Sequence, residues 1–273
     1  MQFDLTIPRK QVDEAYEHVL DEAAKESTVA GFRQGKAPRK LVEEKVGREK
    51  LIEATLQHVL PKAYGEAIRE KNLKPLTSPK ITPKKVANDG DWEFGVEIAE
   101  APEVALGDYK GAIKSALAQG FIWVPGKDSQ EKKPTDDEKL TKIFDALLST
   151  VKLTLPELLL EEEVNRALSQ LIDQTAKVGL TVDQYLASKN LSAEQLRNEY
   201  RKTAEERLKL EFILQEIADD LKITVTDKEV DSLIVKAESS EERKRFDNSH
   251  EREILTNFLK KRKVLDNLLS LAS

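Results

Sequence analysis

The stretch Gly31-Phe32-Arg33-Gln34-Gly35-Lys36-Ala37-Pro38-Arg39-Lys40 interrupts two helical patterns, and its reading decides the architecture of the first part of the chain. Gly31 and Gly35 permit the positive φ that a tight reversal needs. Before the stretch, Val12, Ala15, Tyr16, Val19, Leu20 and Ala23 recur on one helical face from Gln11 to Ala24. After it, a second pattern runs from about Pro38, a suitable first-turn residue, to about Glu70. Its stripe contains Leu41, Val42, Leu51, Ile52, Leu56, Val59, Leu60, Ala63 and Ile68. Two helices joined by a short loop make an antiparallel hairpin with the loop at its tip.

Outside the hairpin the period changes from helical to two. Phe3, Leu5 and Ile7 alternate with polar residues before Pro8, and Trp92, Phe94, Val96 and Ile98 alternate after the turn residues Asn88-Asp89-Gly90. The expected fold class is therefore multidomain α+β. A small antiparallel sheet with a long helical hairpin occupies residues 1–110, followed by an all-α helical-arm domain at 135–273. Residues 111–134 carry Gly120, Pro125, Gly126 and a charge-rich KDSQEKKP run, and they read as a linker containing a short apolar island, GFIWVPG. In the second domain, Ser/Thr-x-x-Glu/Gln boxes at Thr135/Glu138, Thr181/Gln184, Ser192/Gln195 and Thr226/Glu229 mark helix starts. Apolar stripes follow, through Leu140, Ile143, Phe144 and Leu147, through Leu208, Ile213, Leu214 and Ile217, and through Ile254, Leu255, Phe258, Leu259, Leu265 and Leu268.

Composition narrows the function classes. Charged residues make up 34% of the 273 residues and aromatics 5%, a mix suited to long amphipathic helices with solvated faces. A net charge of −6 excludes a globally basic nucleic-acid binder, so any such contact must be local. The tip supplies one. Gly31–Lys40 holds four cations and no anion, within a first domain of 18 basic and 20 acidic residues. Arg and Lys at a protruding tip can pair with phosphates or an acidic protein surface, and Phe32 can supply a desolvated anchor. The alternative is a solvated loop whose Phe32 folds back on its own hairpin.

Cysteine is absent, which removes disulfides, cysteine zinc sites and cysteine nucleophiles and fits a reducing compartment. No basic-then-apolar leader opens the chain, and no apolar run reaches membrane-spanning length. The glycine spacing and the residue after Lys36 do not make a phosphate-binding GxxxxGK[ST] loop, so no nucleotide cofactor is expected. His18, His58 and His250 are far apart in sequence and read as helix residues without catalytic or metal partners. Glu161, Glu162 and Glu163 read as a first-turn acidic cluster favourable to the helix dipole.

The motif GFRxGKxP at a helical-hairpin tip resembles the signature of the trigger factor family, matched here by Gly31, Phe32, Arg33, Gly35, Lys36 and Pro38. PEVALGDYKG from Pro102 is similar to the end of that family's ribosome-binding domain. PELLLEEEVNRAL from Pro156 and GLTVDQYL from Gly179 resemble its helical chaperone domain. The resemblance implies an ATP-independent chaperone of the cytoplasm, without cofactor or metal. It implies docking beside the exit tunnel of the large ribosomal subunit, on a ribosomal protein and nearby ribosomal RNA, and shielding of nascent or unfolded polypeptides. Arg33 and Lys36 would make the charged contacts, Phe32 the apolar one, and the glycines with Pro38 would set the loop geometry. No membrane partner is implied, and a homodimer is left open.

The chain departs from the family pattern in the middle. Most members insert an FKBP-like prolyl isomerase there, and its strand-rich fold cannot be built from the 24 residues of 111–134. No enzymatic activity is therefore expected. A strand expected before Gln2 is also missing. The competing readings are a ribosome-independent holdase or helical scaffold and, further off, a prolyl isomerase.

Overall fold

A computed structural model describes residues 1–29, 31–87, 90–118, 135–235, 246 and 248–271. The expected turn at 88–89 and the apolar island at 120–126 lie outside the described residues. The chain divides into two compact units, Met1–Ala101 and Pro102–Ser273.

The first unit is a three-stranded antiparallel sheet backed by a helical hairpin. Strands β1 (Gln2–Ile7), β2 (Lys80–Lys85) and β3 (Trp92–Glu97) lie in the order β1-β3-β2. The register pairs Phe3 with Val96, Leu5 with Phe94 and Ile7 with Trp92, so the alternating apolar residues of both strands share one face. That face packs on Val12 and Ala15 of α1 (Arg9–Glu26) and Val59 and Ala63 of α3 (Arg48–Glu70). Strand β2 has no place in the sequence reading, because KITPKK lacks apolar alternation. Only Ile81 turns inward, opposite Val96, and Pro83 is tolerated because the strand is an edge.

The second helix of the hairpin is not continuous as expected. It breaks into α2 (Arg39–Val46) and α3 at Gly47, which sits at φ 88°, ψ 135°. Gly47 donates its N–H to Glu43, closing α2, and its carbonyl accepts from Leu51, opening α3. The apolar stripe continues across the break, which is why periodicity alone reads one helix. Pro38 is not in the first turn either. It is the N-cap residue of α2, with extended ψ and a carbonyl that accepts from Leu41 and Val42, as Pro8 does for α1.

The second unit is helical: α4 (Tyr109–Ala118), α5 (Asp136–Thr150), α6 (Glu157–Lys177), α7 (Val182–Lys189), α8 (Ala193–Asp220), α9 (Asp227–Val235) and α10 (Ser249–Ser270). Helix α4 corrects the linker reading for residues 111–118. Tyr109, Ile113 and Leu117 are four apart and enter a core with Ile143, Leu147, Ile213, Ile217, Val264 and Leu268. This stripe is thin, one residue per turn, and Gly111 masks it. At the helix start the Gly111 N–H donates to the Asp108 carboxylate at 3.0 Å. Tyr109 donates its hydroxyl to Asp220 at 3.0 Å; burial and that carboxylate raise its pKa.

The capping boxes of α5, α7 and α8 form as read, with both reciprocal bonds present. Thr226 differs. Its N–H and hydroxyl both donate to Glu229 Oε2, at 2.8 and 3.0 Å, while Lys263 of α10 lies 2.6 Å from Oε1. The Glu163 expectation is also corrected. It lies in the second turn of α6, is buried, and pairs with Arg166 and with Arg207 of α8; Glu157 is the first-turn acid.

Two measurements test these elements. Gly47→Ala introduces no clash, since nothing lies within 4 Å of the added Cβ. It does force an L side chain into a strained backbone, so a loss of about 1–3 kcal/mol in urea unfolding is expected. For Glu229, the Lys263 and Thr226 bonds hold the carboxyl down at about 2. A depressed folded-state value stabilises above the ordinary carboxylate range and is lost as pH falls toward 2. The stability gap between the parent and Glu229→Gln should therefore narrow steadily in urea midpoints taken from pH 5 down to pH 2.

Candidate functional site

The loop from Ser27 to Pro38 is built on two successive turns. The Val29 carbonyl accepts the Phe32 N–H at 3.0 Å, and the Arg33 carbonyl accepts the Lys36 N–H at 2.9 Å. Gly31 and Gly35 are the third residues of these turns, with φ 84° and 78°. Type II turns demand this sign at that position. Space does not explain the glycines: a Cβ on Gly31 meets nothing within 4 Å, and one on Gly35 makes only ordinary contacts at 3.8 Å with Lys25.

The turns leave the six sequence-predicted residues exposed together: Gly31, Phe32, Arg33, Gly35, Lys36 and Pro38. Phe32 is 41% exposed and does not join the apolar cluster beneath the loop. That cluster is made by Val19 and Leu20 of α1, Val42 of α2 and Leu51 of α3, with Val29 and Ala37 as the loop's own contributions. Among the described residues, no ion pair or hydrogen bond engages the side chains of Arg33, Lys36 or Lys40. Their charge is directed to solvent.

Sequence reasoning grouped Arg39 with these cations, and the structure separates it. Arg39 reaches back to α1, with Nη1 at 2.5 Å from Glu17 and Nη2 at 2.6 Å from Asp21. Tyr16 of α1 donates to Glu43 of α2 at 2.8 Å, and Lys45 donates to the Thr28 carbonyl. Burial, followed by the bond to Glu43, pushes the Tyr16 hydroxyl up to about 12. No pattern in the sequence points to Glu17, Asp21, Tyr16 or Glu43, because their partners come from another helix.

The structure adds one contact between the histidines. His18 and His58 are distant in sequence, yet their rings stack with centroids 5.2 Å apart where α1 meets α3. Among the described residues no group of three or more His, Cys, Asp or Glu side chains could hold a metal ion. Among the same residues, no helix is long and apolar enough to cross a membrane.

Tyr16→Phe removes one hydrogen bond that staples α2 to α1. A loss of about 1 kcal/mol is expected at neutral pH. Because the folded-state value is raised, the contribution is complete below pH 10 and is lost as pH rises through about 12. Unfolding curves of parent and variant should converge over that window.

Comparison with known proteins bears on both units. Residues 1–117 match the family described as "Bacterial trigger factor protein (TF)", and residues 128–270 match "Bacterial trigger factor protein (TF) C-terminus". The trigger factor of Staphylococcus carnosus (strain TM300) is 38% identical over 107 residues, covering 39% of this chain and 24% of that protein. That of Staphylococcus aureus (strain JH9) is 37% identical over 107 residues, covering 39% and 25%. The matching segment thus spans about a quarter of these relatives' length. A solved chain from work described as "Promiscuous Substrate Recognition in Folding and Assembly Activities of the Trigger Factor Chaperone" has a TM-score of 0.68. It is 15% identical, with 100% of this chain and 97% of that chain covered, a likeness of fold. With family matches over both units, the chain belongs to the bacterial trigger factor family.

Proposed function

We propose that this protein is an ATP-independent chaperone that docks on the large ribosomal subunit through the Gly31–Pro38 tip and shields apolar segments of nascent polypeptides in the cytoplasm. The observation that carries the reading is the tip itself. Phe32, 41% exposed, shares one loop with Arg33 and Lys36, two cations that the described residues leave unpaired, on a backbone held by two glycine turns. An isolated exposed Phe is unremarkable in itself. Here it is paired with directed positive charge, the combination suited to a phosphate-rich surface with an apolar recess.

Family membership supports the same reading, with the first unit as the docking domain and the helical unit as the client-holding domain. In the second unit Ile172, Val178, Leu180, Ile254 and Phe258 are exposed, and each offers apolar area to an unfolded segment. Contacts of this kind are worth roughly 25 cal/mol per Å² buried. They hold weakly and release without a nucleotide cycle. The two family-matching segments are separated by only residues 118–127, which supports a chaperone without the inserted isomerase domain. No metal or cofactor enters this mechanism.

Co-sedimentation with large ribosomal subunits tests the reading. Phe32→Ala/Arg33→Ala/Lys36→Ala should weaken binding at least about tenfold, since exposed aromatic and Arg anchors carry a large share of interface energy. Parental binding should itself fall with salt. Suppression of aggregation by the same variant should persist, because the holding surface is on the other unit. A triple variant that pellets like the parent would remove the docking role from this loop.

A further inference from the structure

The tip must present three side chains together. Val29 and Ala37 seat the loop on the apolar cluster, Lys45 donates to the Thr28 carbonyl, and the Gln34 amide reaches the Glu26 carbonyl at 3.3 Å. A further side-chain link lies one residue past the loop. Arg39 opens α2 immediately after Pro38, and its guanidinium spans two carboxylates one turn apart on α1, Glu17 at 2.5 Å and Asp21 at 2.6 Å. The planar guanidinium fork can engage both acids at once, which a lysine ammonium does less well.

We propose that Arg39 is a positioning residue for the docking loop and not one of its ribosome-contacting cations; this rests on the docking reading above. All four cations of Gly31–Lys40 look alike in sequence, but among the described residues Arg39 alone has its charge consumed within the chain. Its two bonds pull the start of α2 against α1 and fix where the loop leaves the hairpin. The entry side is set by α1 itself, which runs to Glu26 and closes with the Ser27 N–H on the Ala23 carbonyl. With entry and exit both held, the two glycine turns can aim Phe32, Arg33 and Lys36 in one direction.

The effect on global stability should be small. Side chains about half exposed form ion pairs of limited worth, and Val42 and the Tyr16–Glu43 bond still hold α2. The effect on docking should be larger than the effect on stability, because a misdirected loop loses several contacts together.

The test measures ribosome affinity of the full-length protein across a salt series. Arg33→Ala removes a contacting charge, so the slope of log affinity against log salt should become shallower by about one. Arg39→Ala should weaken binding roughly three- to tenfold while leaving that slope and the urea midpoint near the parent's. Arg39→Glu should be worse, and the charge-neutral exchange Arg39→Glu/Glu17→Arg should restore most of the affinity. Parental affinity in Arg39→Ala overturns the inference. So does a slope reduced by about one without rescue by the exchange, since Arg39 would then touch the ribosome itself. If Phe32→Ala/Arg33→Ala/Lys36→Ala binds like the parent, the docking reading falls and the inference with it, a result separable from failure of Arg39 alone.

Discussion

Val42 is fully buried where α1, α2 and α3 meet, in one apolar cluster with Val19, Leu20 and Leu51. Three helical segments converge on a patch of four buried apolar residues, and the tip loop grows out of that patch. A buried branched side chain at such a junction resists both truncation and enlargement. The tip is rooted in it at both ends: Val29, which opens the first glycine turn, and Ala37, beside the N-cap Pro38, both pack against the patch. The sheet-side cluster of Leu5, Ile7, Trp92, Phe94 and Val96 forms the other end of the same unit and backs α1 and α3 there.

Charge is organised around this core in two ways. On the flanks of the hairpin, cations are committed to neighbours: Arg39 to Glu17 and Asp21, Arg9 to Asp13, Lys45 to the Thr28 carbonyl. At the apex Arg33 and Lys36 are not committed to any described residue. A net charge of −6 conceals this division, since composition counts charges without recording which ones are neutralised locally. The second unit follows the same economy. Glu157 is held by two bonds from Arg201 at 2.7 Å, and the buried Glu163 by Arg166 and Arg207. Meanwhile Val178, Leu180 and Phe258 stay in solvent.

Much of this was legible before any coordinates. The period-two runs at Phe3–Ile7 and Trp92–Ile98 became paired strands because their apolar residues needed one covered face. The boxes at Thr135, Thr181 and Ser192 became helix starts because capping is a local interaction, complete within four residues. The positive φ of Gly31 and Gly35 belongs to the same class. Features that depend on distant partners were not legible. Strand β2 exists because β3 offers it an edge, and α4 because a thin stripe finds a large core in α5, α8 and α10. Thr226 turned its hydroxyl to Glu229, which Lys263 on another helix also holds.

The sequence by itself determined the local conformations and the identity of the tip residues. Glycine spacing, proline placement and apolar period act over a few bonds and require no knowledge of what lies across the fold. Only the tertiary structure decided which of four similar cations are available, that Phe32 keeps 41% of its surface exposed, and that His18 and His58 stack. It also decided that one apparent helix is two, divided at Gly47. The physical reason is common to all four. Ion pairing, burial, ring contact and the tolerance of a strained backbone are set by groups brought together through packing, and their separation along the chain carries no trace of it.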